Sequence, residues 1–375
     1  MKIAYVHDVT YPFVKGGAEK RVWEISRRLA DRGHEVHIFG MKYWEGEKIV
    51  ERDGVLLHAV SDPVDLYVDG RRSIGAAIRF SSKLLLSFRG DYDVIDAQQF
   101  PYLPCYSARV HSLLRRTPLV ITWHEVWGDY WREYLGKRGL LGMMVERGAA
   151  RLPDLIIPVS ERVRDDLLKV GVGADRMEVV PNGVDLKMID SVKAEEGAYD
   201  VIYVGRLSAH KRVDLLVEAL SLAREEIPEI RCGIVGDGPE LARLIRLSRN
   251  LDLGENVDFL GFLETEEEVV AKMKSSKIFV LPSTREGFGI SLLEANACGL
   301  PAVVVKAEKS AAAALIKEGK NGLLCDLSPR SLASKMVDLL EGNLYKKMSA
   351  PSKEFAKGHD WGEIARKAEA AYERL

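Results

Sequence analysis

Cysteine is scarce: four in 375 residues, Cys105, Cys232, Cys298 and Cys325. None forms a C-x-x-C pair and no separation matches a zinc site, so a disulfide or zinc scaffold is excluded and free thiols in a reducing compartment are expected. Net charge is nearly absent as well. Against 54 Lys and Arg stand 56 Asp and Glu, which leaves −2. Dedicated nucleic-acid binders carry a strong basic excess, so no nucleic-acid partner is expected. No apolar run reaches the roughly 18 to 20 residues of a spanning helix. The opening MKIAYVHD holds one lysine, a short apolar run and an aspartate where a secretory h-region would continue. It reads as a first strand, and the expected location is cytoplasmic, with peripheral contact at the inner membrane face left open.

Several catalytic signatures are missing too. There is no G-x-x-x-x-G-K-[ST] phosphate loop, no H-E-x-x-H helix and no G-x-S-x-G elbow. Asp91-Tyr92-Asp93 has the spacing of a D-x-D metal signature, but it precedes a strand instead of ending one and reads as a loop. Gly236-Asp237-Gly238 follows a strand, yet Leu241 stands where the third glycine of G-x-G-x-x-G belongs. That counts against a hydride-transfer enzyme. No long repeat and no low-complexity tract is present.

What the sequence does have is alternation. Short apolar runs, KIAYVHD, HEVHIFG, YDVIDA, PLVITWH, DLIIPVS, MEVVPN, DVIYVGR, IRCGIVGD, VDFLG, KIFVLPS and PAVVV, alternate with amphipathic stretches such as AEKRVWEISRRLADRG. Strand–helix alternation with β-branched strands predicts an α/β protein whose mostly parallel sheets are covered on both faces. One doubly wound domain rarely holds so many units. Pro181-Asn182-Gly183 is a turn-forming run, the segment from Asp185 to Ala198 is polar, and the alternation restarts at DVIYVGR. The prediction is two Rossmann-like domains, 1–183 and 184–355, facing across a cleft, with an amphipathic helix in 356–375. In open α/β sheets ligands bind beyond the carboxyl ends of the strands, so the cleft is the expected site.

Candidate residues fall where that rule puts them. In STREGFGISLLEANACG, Gly287 and Gly289 flank Phe288 in a loop, and a helix begins near Ile290. Free backbone N–H groups and the positive helix end there suit a phosphate. Glu286 on the loop and Glu294 one turn into the helix are natural acceptors for sugar or ribose hydroxyls, or two solvated glutamates by a tight turn. In YVGRLSAHKRVDLL, Arg206 and Lys211 precede a helix and would neutralise a diphosphate, unless they are ordinary surface cations. Backbone around Gly236 and Gly238 could hold a base or ribose. Gly16-Gly17 after the first strand would let backbone approach a phosphate, or is a plain turn. His124, in ITWHEVW, ends a strand and is placed to contact a sugar or developing charge; His7 and Asp8 share that position. Finally, Arg71 to Arg89 holds Arg71, Arg72, Arg79, Lys83 and Arg89 with no acid, interleaved with Ile74, Ile78, Leu84, Leu85, Leu86 and Phe88. It reads as a dock for anionic lipid or a phosphorylated acceptor, or as a helix with a solvated basic face.

Together these pieces resemble the large retaining glycosyltransferase family four, of GT-B architecture. The resemblance spans nearly the whole chain. It rests on the E-x7-E pattern from Glu286 to Glu294, and on the order GGAEKRV, TWHEVW, VSERVRDDL, VVPNGVD, VGRLSAHK, GDGPE, EGFGISLLEANACGLPAVV and NGLL. It implies a metal-independent enzyme without cofactor, moving a sugar from a UDP-, GDP- or ADP-sugar to a hydroxyl of a glycan or glycolipid acceptor with retained anomeric configuration. Arg206 and Lys211 look like the diphosphate pair and Glu294 like the ribose acceptor. Glu286 looks like the residue near the donor sugar, with Phe288 and Gly289 offering backbone. Gly17 looks like the loop glycine near the diphosphate, and His124 like the histidine beside the reacting sugar. The helix around Trp361 and Tyr372 looks like the one that crosses back to the N-terminal domain. This chain departs from the family pattern in three places: Arg212 where glycine often follows the lysine, Gln98 where histidine is common, and VKAEKSAAAALIKEG after PAVV. Two rival readings share the expected nucleotide: a sugar-nucleotide 2-epimerase and a non-catalytic sugar-nucleotide-binding protein.

Overall fold

The computed structural model describes residues 1–68, 71–195 and 199–375. The side chain of Arg71, one of the basic residues singled out above, lies outside the described residues, as do 196–198 of the polar segment after Asp185. The chain divides into two compact units, Met1–Asn182 with Trp361–Leu375, and Gly183–Asp360.

Among the described residues the first unit is built on nine strands: β1 Lys2–Val6, β2 Glu35–Met41, β3 Ile49–Arg52, β4 Val55–Ser61, β5 Tyr67–Val68, β6 Arg71–Arg72, β7 Val94–Gln98, β8 Leu119–Trp123 and β9 Leu155–Pro158. Seven of them form one sheet in the order β3-β4-β2-β1-β7-β8-β9, parallel except for the β3–β4 hairpin. Its helices are α1 Gly17–Asp31, α2 Ile74–Ser87, α3 Leu103–Arg115, α4 Tyr130–Leu135, α5 Gly139–Ala149 and α6 Glu161–Lys169. Strands such as LVITW in β8 are buried at every position, which requires cover on both faces.

The second unit has a six-stranded sheet made from β10 Val201–Val204, β11 Cys232–Val235, β12 Val257–Gly261, β13 Ile278–Leu281, β15 Ala302–Val305 and β17 Gly322–Cys325. Its order is β12-β11-β10-β13-β15-β17. A separate two-residue pair joins β14 Arg285–Glu286 to β16 Lys309–Ser310. The helices are α7 Leu186–Ser191, α8 Val213–Glu226, α9 Leu241–Asn250, α10 Glu266–Lys274, α11 Ile290–Ala297, α12 Pro329–Leu340 and α13 Leu344–Lys357. Local sequence sets their starts: Thr265 and Glu268 close a reciprocal capping box on α10, and Ser328 caps α12 ahead of Pro329.

The last helix, α14 Trp361–Tyr372, belongs to the first unit. Trp361, Ile364, Ala365, Ala368 and Tyr372 recur at three and four residues and join one core with Ile3, Tyr5 and Ile25.

Some local expectations differ from the structure. MEVV forms no named strand; it runs alongside β9 through an isolated parallel bridge, Ile156–Met177, with Glu178 N–H and Val180 N–H donating to the Ile156 and Pro158 carbonyls. The alanine run after PAVV forms a 3-10 turn, Ala312–Leu315. The basic segment is only partly a solvated face. Arg72 turns inward to Asp8, and Leu84 and Phe88 belong to the core. What remains exposed on α2 includes Arg79 and Lys83.

Candidate functional site

Each sheet reverses its strand order once, between β1 and β7 in the first unit and between β10 and β13 in the second. The loops leaving those strands diverge at the reversal and open a crevice at the carboxyl ends. The candidate residues gather at these two places. Gly17 and His124 lie in the first unit, and the other eight lie in the second.

In the second unit, β10 is followed by Gly205, Arg206 and Leu207, and then by a short 3-10 turn, Ala209–Lys211. The loop after β13 meets it: Thr284 donates from both N–H and Oγ1 to the His210 carbonyl at 2.9 and 3.0 Å. This contact sets Lys211 beside Glu286, with Nζ 2.5 Å from Oε1. Both side chains are mostly buried, at 21% and 12% exposure. His210 sits among them. Burial, and then the charges of Lys211, Arg285 and Arg206, push its imidazole down to about 4, so it stays neutral near physiological pH. Arg285 is thus a third cation at this place, which the sequence reading did not single out. Three cations around one carboxylate leave a local positive excess, a field suited to a polyanion.

The glycine loop completes the edge. Gly289 adopts φ +107°, caps α11, and has Ala312 3.3 Å from where a Cβ would stand. Phe288 is buried and faces the ring of His359 at 6.2 Å between centroids, so its backbone, not its ring, is what the loop presents. Glu294 lies in the second turn of α11 and is half-buried. The chain's departure after PAVV lands here: it supplies β16, whose Ser310 pairs with Glu286, and the Ala311 N–H donates to the Glu286 carbonyl at 2.8 Å. The departure therefore fixes the backbone of Glu286. Gly236 and Gly238 have a packing reason of their own. A Cβ on Gly236 would stand 2.0 Å from the Gly205 carbonyl, and one on Gly238 2.3 Å from that of Leu207. Their loop is bonded to the one after β10 through Leu207 N–H to the Asp237 carbonyl, 2.9 Å.

In the first unit, Gly17 opens α1, and His124 follows the last residue of β8. Gln98 and Gln99, at the end of β7, hold His124 at two points. Gln99 Oε1 accepts its backbone N–H at 2.8 Å, and Gln98 Oε1 lies 2.8 Å from Nε2. Gln98 Nε2 donates to Asp96, whose carboxylate also accepts from Thr122 Oγ1 and from the Tyr372 hydroxyl at 2.6 Å. Tyr372 meets Tyr5 at 2.9 Å. Arg21 lies near the same group and donates to the Pro181 carbonyl and Asn182 Oδ1. Burial raises Asp96 to about 6 despite these donors, and burial, then the charges of Arg21 and His7, push His124 well below its ordinary range. Gln98, where the family commonly has histidine, is here the histidine's bonding partner.

Two further buried charges support this edge. Asp8 is 1% exposed and pairs with Arg72, 2.5 Å away; the Arg72 guanidinium also lies over the Tyr67 and Phe100 rings. Glu146, on α5, accepts from the N–H groups of Trp127 and Gly128 and from the Tyr102 hydroxyl, at 2.7 to 2.8 Å. It pins the loop that follows His124. Among the described residues no group of three or more His, Cys, Asp or Glu is placed to hold a metal, and no helix is long and apolar enough to cross a membrane.

Two α/β units on mostly parallel sheets, each with one point of strand-order reversal, are the architecture of the GT-B glycosyltransferases. Residues 15–188 match the profile described as Glycosyltransferase Family 4, and residues 186–358 match Glycosyl transferases group 1. The chain belongs to these family-four-like group 1 glycosyltransferases. The N-acetyl-alpha-D-glucosaminyl L-malate synthase of Bacillus anthracis is 24% identical, over 92% of this chain and 90% of that one. The phosphatidylinositol N-acetylglucosaminyltransferase gpi3 subunit of Schizosaccharomyces pombe is 23% identical over 80% of this chain, and the match spans 65% of its length, less than two thirds. The crystal structure of Anabaena HepE in complex with UDP-glucose shares the fold, with a TM-score of 0.79, 22% identity and full coverage of both chains.

Proposed function

We propose that the protein transfers a sugar from a nucleoside-diphosphate donor to an acceptor hydroxyl, with retention of anomeric configuration and without a metal. The observation that carries this reading is the cluster of Arg206, Lys211 and Arg285 around His210, beside Glu286 and the glycine-capped start of α11. Cations and helix N–H groups at one spot stabilise charge that develops on a departing diphosphate. Glu286 takes the donor sugar's hydroxyls and Glu294 the ribose hydroxyls. The acceptor oxygen attacks the anomeric carbon on the face the diphosphate leaves. The carbon–oxygen bond to the phosphate breaks, and the leaving phosphate takes the acceptor's proton. The UDP-glucose in the HepE complex supports a sugar nucleotide as donor, and the N-acetylglucosaminyl group in the B. anthracis relative's name supports a sugar as the group moved. A glycan or lipid-linked acceptor is favoured by the phosphatidylinositol in the yeast relative's name.

Thermal unfolding against UDP-, GDP- and ADP-sugars tests the reading. A donor at a hundred times its dissociation constant should add about 2.7 kcal/mol to the unit that binds it. One nucleotide class should stabilise the wild type and fail with Glu294→Ala, and EDTA should change neither stabilisation nor transfer. Arg206→Ala should fold normally and lose turnover by about a hundredfold or more, the scale of a lost charge-stabilising group. Wild-type turnover in that variant would refute the leaving-group role, and release of an epimerised sugar nucleotide without acceptor would favour the epimerase.

A further inference from the structure

Aromatic rings collect at one edge of the first unit's sheet. Five neighbouring strands run parallel in the order β4-β2-β1-β7-β8, so the connections that follow them leave the same edge. Each of those connections carries a ring: Tyr67 after β4, Tyr43 and Trp44 after β2, Phe13 after β1, Phe100 after β7 and Trp127 after β8. Phe13 and Tyr67 are 39% and 47% exposed, and the other four are half-buried. The connections entering the same strands hold Phe88 and Tyr92, both buried.

The rings meet in two groups. Phe13 stacks on Tyr43, with centroids 6.5 Å apart and planes at 16°, and Trp44 lies 6.2 Å from the same ring. Phe100 stacks on Trp127 at 5.1 Å and 28°, and the Arg72 guanidinium lies over both the Phe100 and Tyr67 rings. The Asp8–Arg72 pair joins the groups, since both charges act on the Tyr43 hydroxyl. Asp8 Oδ2 is committed to Arg72, whereas Asp8 Oδ1 and the neighbouring His7 Nδ1 are buried without a hydrogen-bond partner among the described residues. A buried polar atom left unbonded costs free energy that a ligand hydroxyl would restore. Trp127 stands three residues past His124, so the rings reach the candidate site of this unit.

We infer that this edge is a track for an uncharged oligosaccharide, the acceptor of the transfer proposed above, on which the inference rests. A pyranose has apolar C–H faces and a polar rim, so it packs a face on a half-exposed ring and turns hydroxyls to Asp8 and His7. Neighbouring strands lie about 4.8 Å apart, so the edge from β4 to β8 runs about 19 Å, room for about three sugars in an extended chain. A single small acceptor would touch one group of rings and leave the other in water. Charge selects against a phosphorylated or otherwise anionic ligand. Arg72 is neutralised by Asp8, and over residues 7–16, 42–48, 62–72, 99–102 and 124–135 acidic residues outnumber basic ones.

A glycan array of uncharged mono- to hexasaccharides and their phosphorylated counterparts, probed with the full chain and no donor, tests this apart from the transfer reading. Uncharged chains of about three sugars or more should be retained about tenfold better than the matching monosaccharides, and phosphorylated chains no better than uncharged ones. The best-retained glycan is then titrated by tryptophan fluorescence. Trp44 and Trp127 are half-buried and the other four tryptophans, Trp23, Trp123, Trp131 and Trp361, are at most 8% exposed, so the emission reports on the track. Trp44→Phe keeps a ring there and should keep the affinity while losing part of the signal. F13A/Y67A removes one exposed ring from each group and should weaken binding by about tenfold or more. Melting and donor-induced stabilisation of that variant should stay at wild-type levels, because both side chains are exposed. The track is overturned if no uncharged chain is retained, if monosaccharides or phosphorylated glycans bind as well or better, or if F13A/Y67A binds like the wild type. Donor-induced stabilisation without glycan binding would overturn the track and leave the transfer reading standing.

Discussion

His124 has one proton position its neighbours accept. Gln98 donates its amide to Asp96, so its oxygen faces the ring, and His124 Nε2 must carry the hydrogen. Nδ1 is then the lone pair. Turning the Gln98 amide over would set its oxygen against the Asp96 carboxylate. The groups bearing on the ring, burial first and then Arg21 and His7, all disfavour its charged form. Replacing Gln98 by Glu puts a carboxylate 2.8 Å or so from Nε2 and should raise the His124 titration by about one unit or more, read directly by NMR. Gln98→Met should leave it low. An unchanged titration in the Glu variant would mean that Gln98 does not set this proton. The network was only partly readable. Lys211 and Glu286 stand in motifs whose residue types announce a polar ligand, but Asp96 is completed by Tyr372, 276 positions away, and Asp8 by Arg72, 64 positions away. No local pattern tells that Arg72 turns inward to Asp8.

Elements in this molecule are held by single buried groups where regular hydrogen bonding stops. The loop from His124 to Asp129 has no ladder of its own, and Glu146 accepts two of its N–H groups. Glu146→Ala orphans both and the Tyr102 hydroxyl; the expected loss is about 3 kcal/mol in denaturant unfolding. Glu146→Gln keeps one acceptor and should lose about 1 kcal/mol. Equal stability of the two variants would show that the loop is held by its aromatic packing. In the second unit, Gly236→Ala drives a Cβ against the Gly205 carbonyl and should cost about 2 kcal/mol or more, because backbone, not a flexible side chain, must move. Fully buried parallel strands were legible in the sequence, since β-branched runs such as IFVL and AVVV leave few alternatives. The β3–β4 hairpin was missed although it carried a signal. Asp53-Gly54, both at positive φ, is the D-G pair that a two-residue hairpin turn favours. β17, GLLC, was missed because it begins on a glycine and holds no β-branched residue.

At the scale of the whole molecule, acid should weaken the two units unequally. In the first, burial lowers His37, His58, His111 and His124, with His58 brought to about 4. In the second, His210 is lowered, also to about 4. An unfolded histidine takes its proton near 6.5, whereas the folded one waits until its lower value. Between those values the unfolded chain binds more protons, so stability falls as pH falls from about 6.5 toward 4. Asp96, raised to about 6, has the opposite sign: its folded carboxyl takes a proton before the unfolded one, and Glu146, also raised by burial, acts in the same direction. Four histidines against two carboxyls leave the first unit more acid-sensitive than the second. Calorimetry between neutral pH and about 4 should show the first unit's transition falling further. His58→Phe keeps the stacking on Phe39, whose ring lies 4.5 Å away, and removes one titrating group. It should flatten only the first unit's dependence, and His210→Gln only the second's. If His58→Phe leaves the slope unchanged, the first unit's acid sensitivity is carried by His37, His111 and His124.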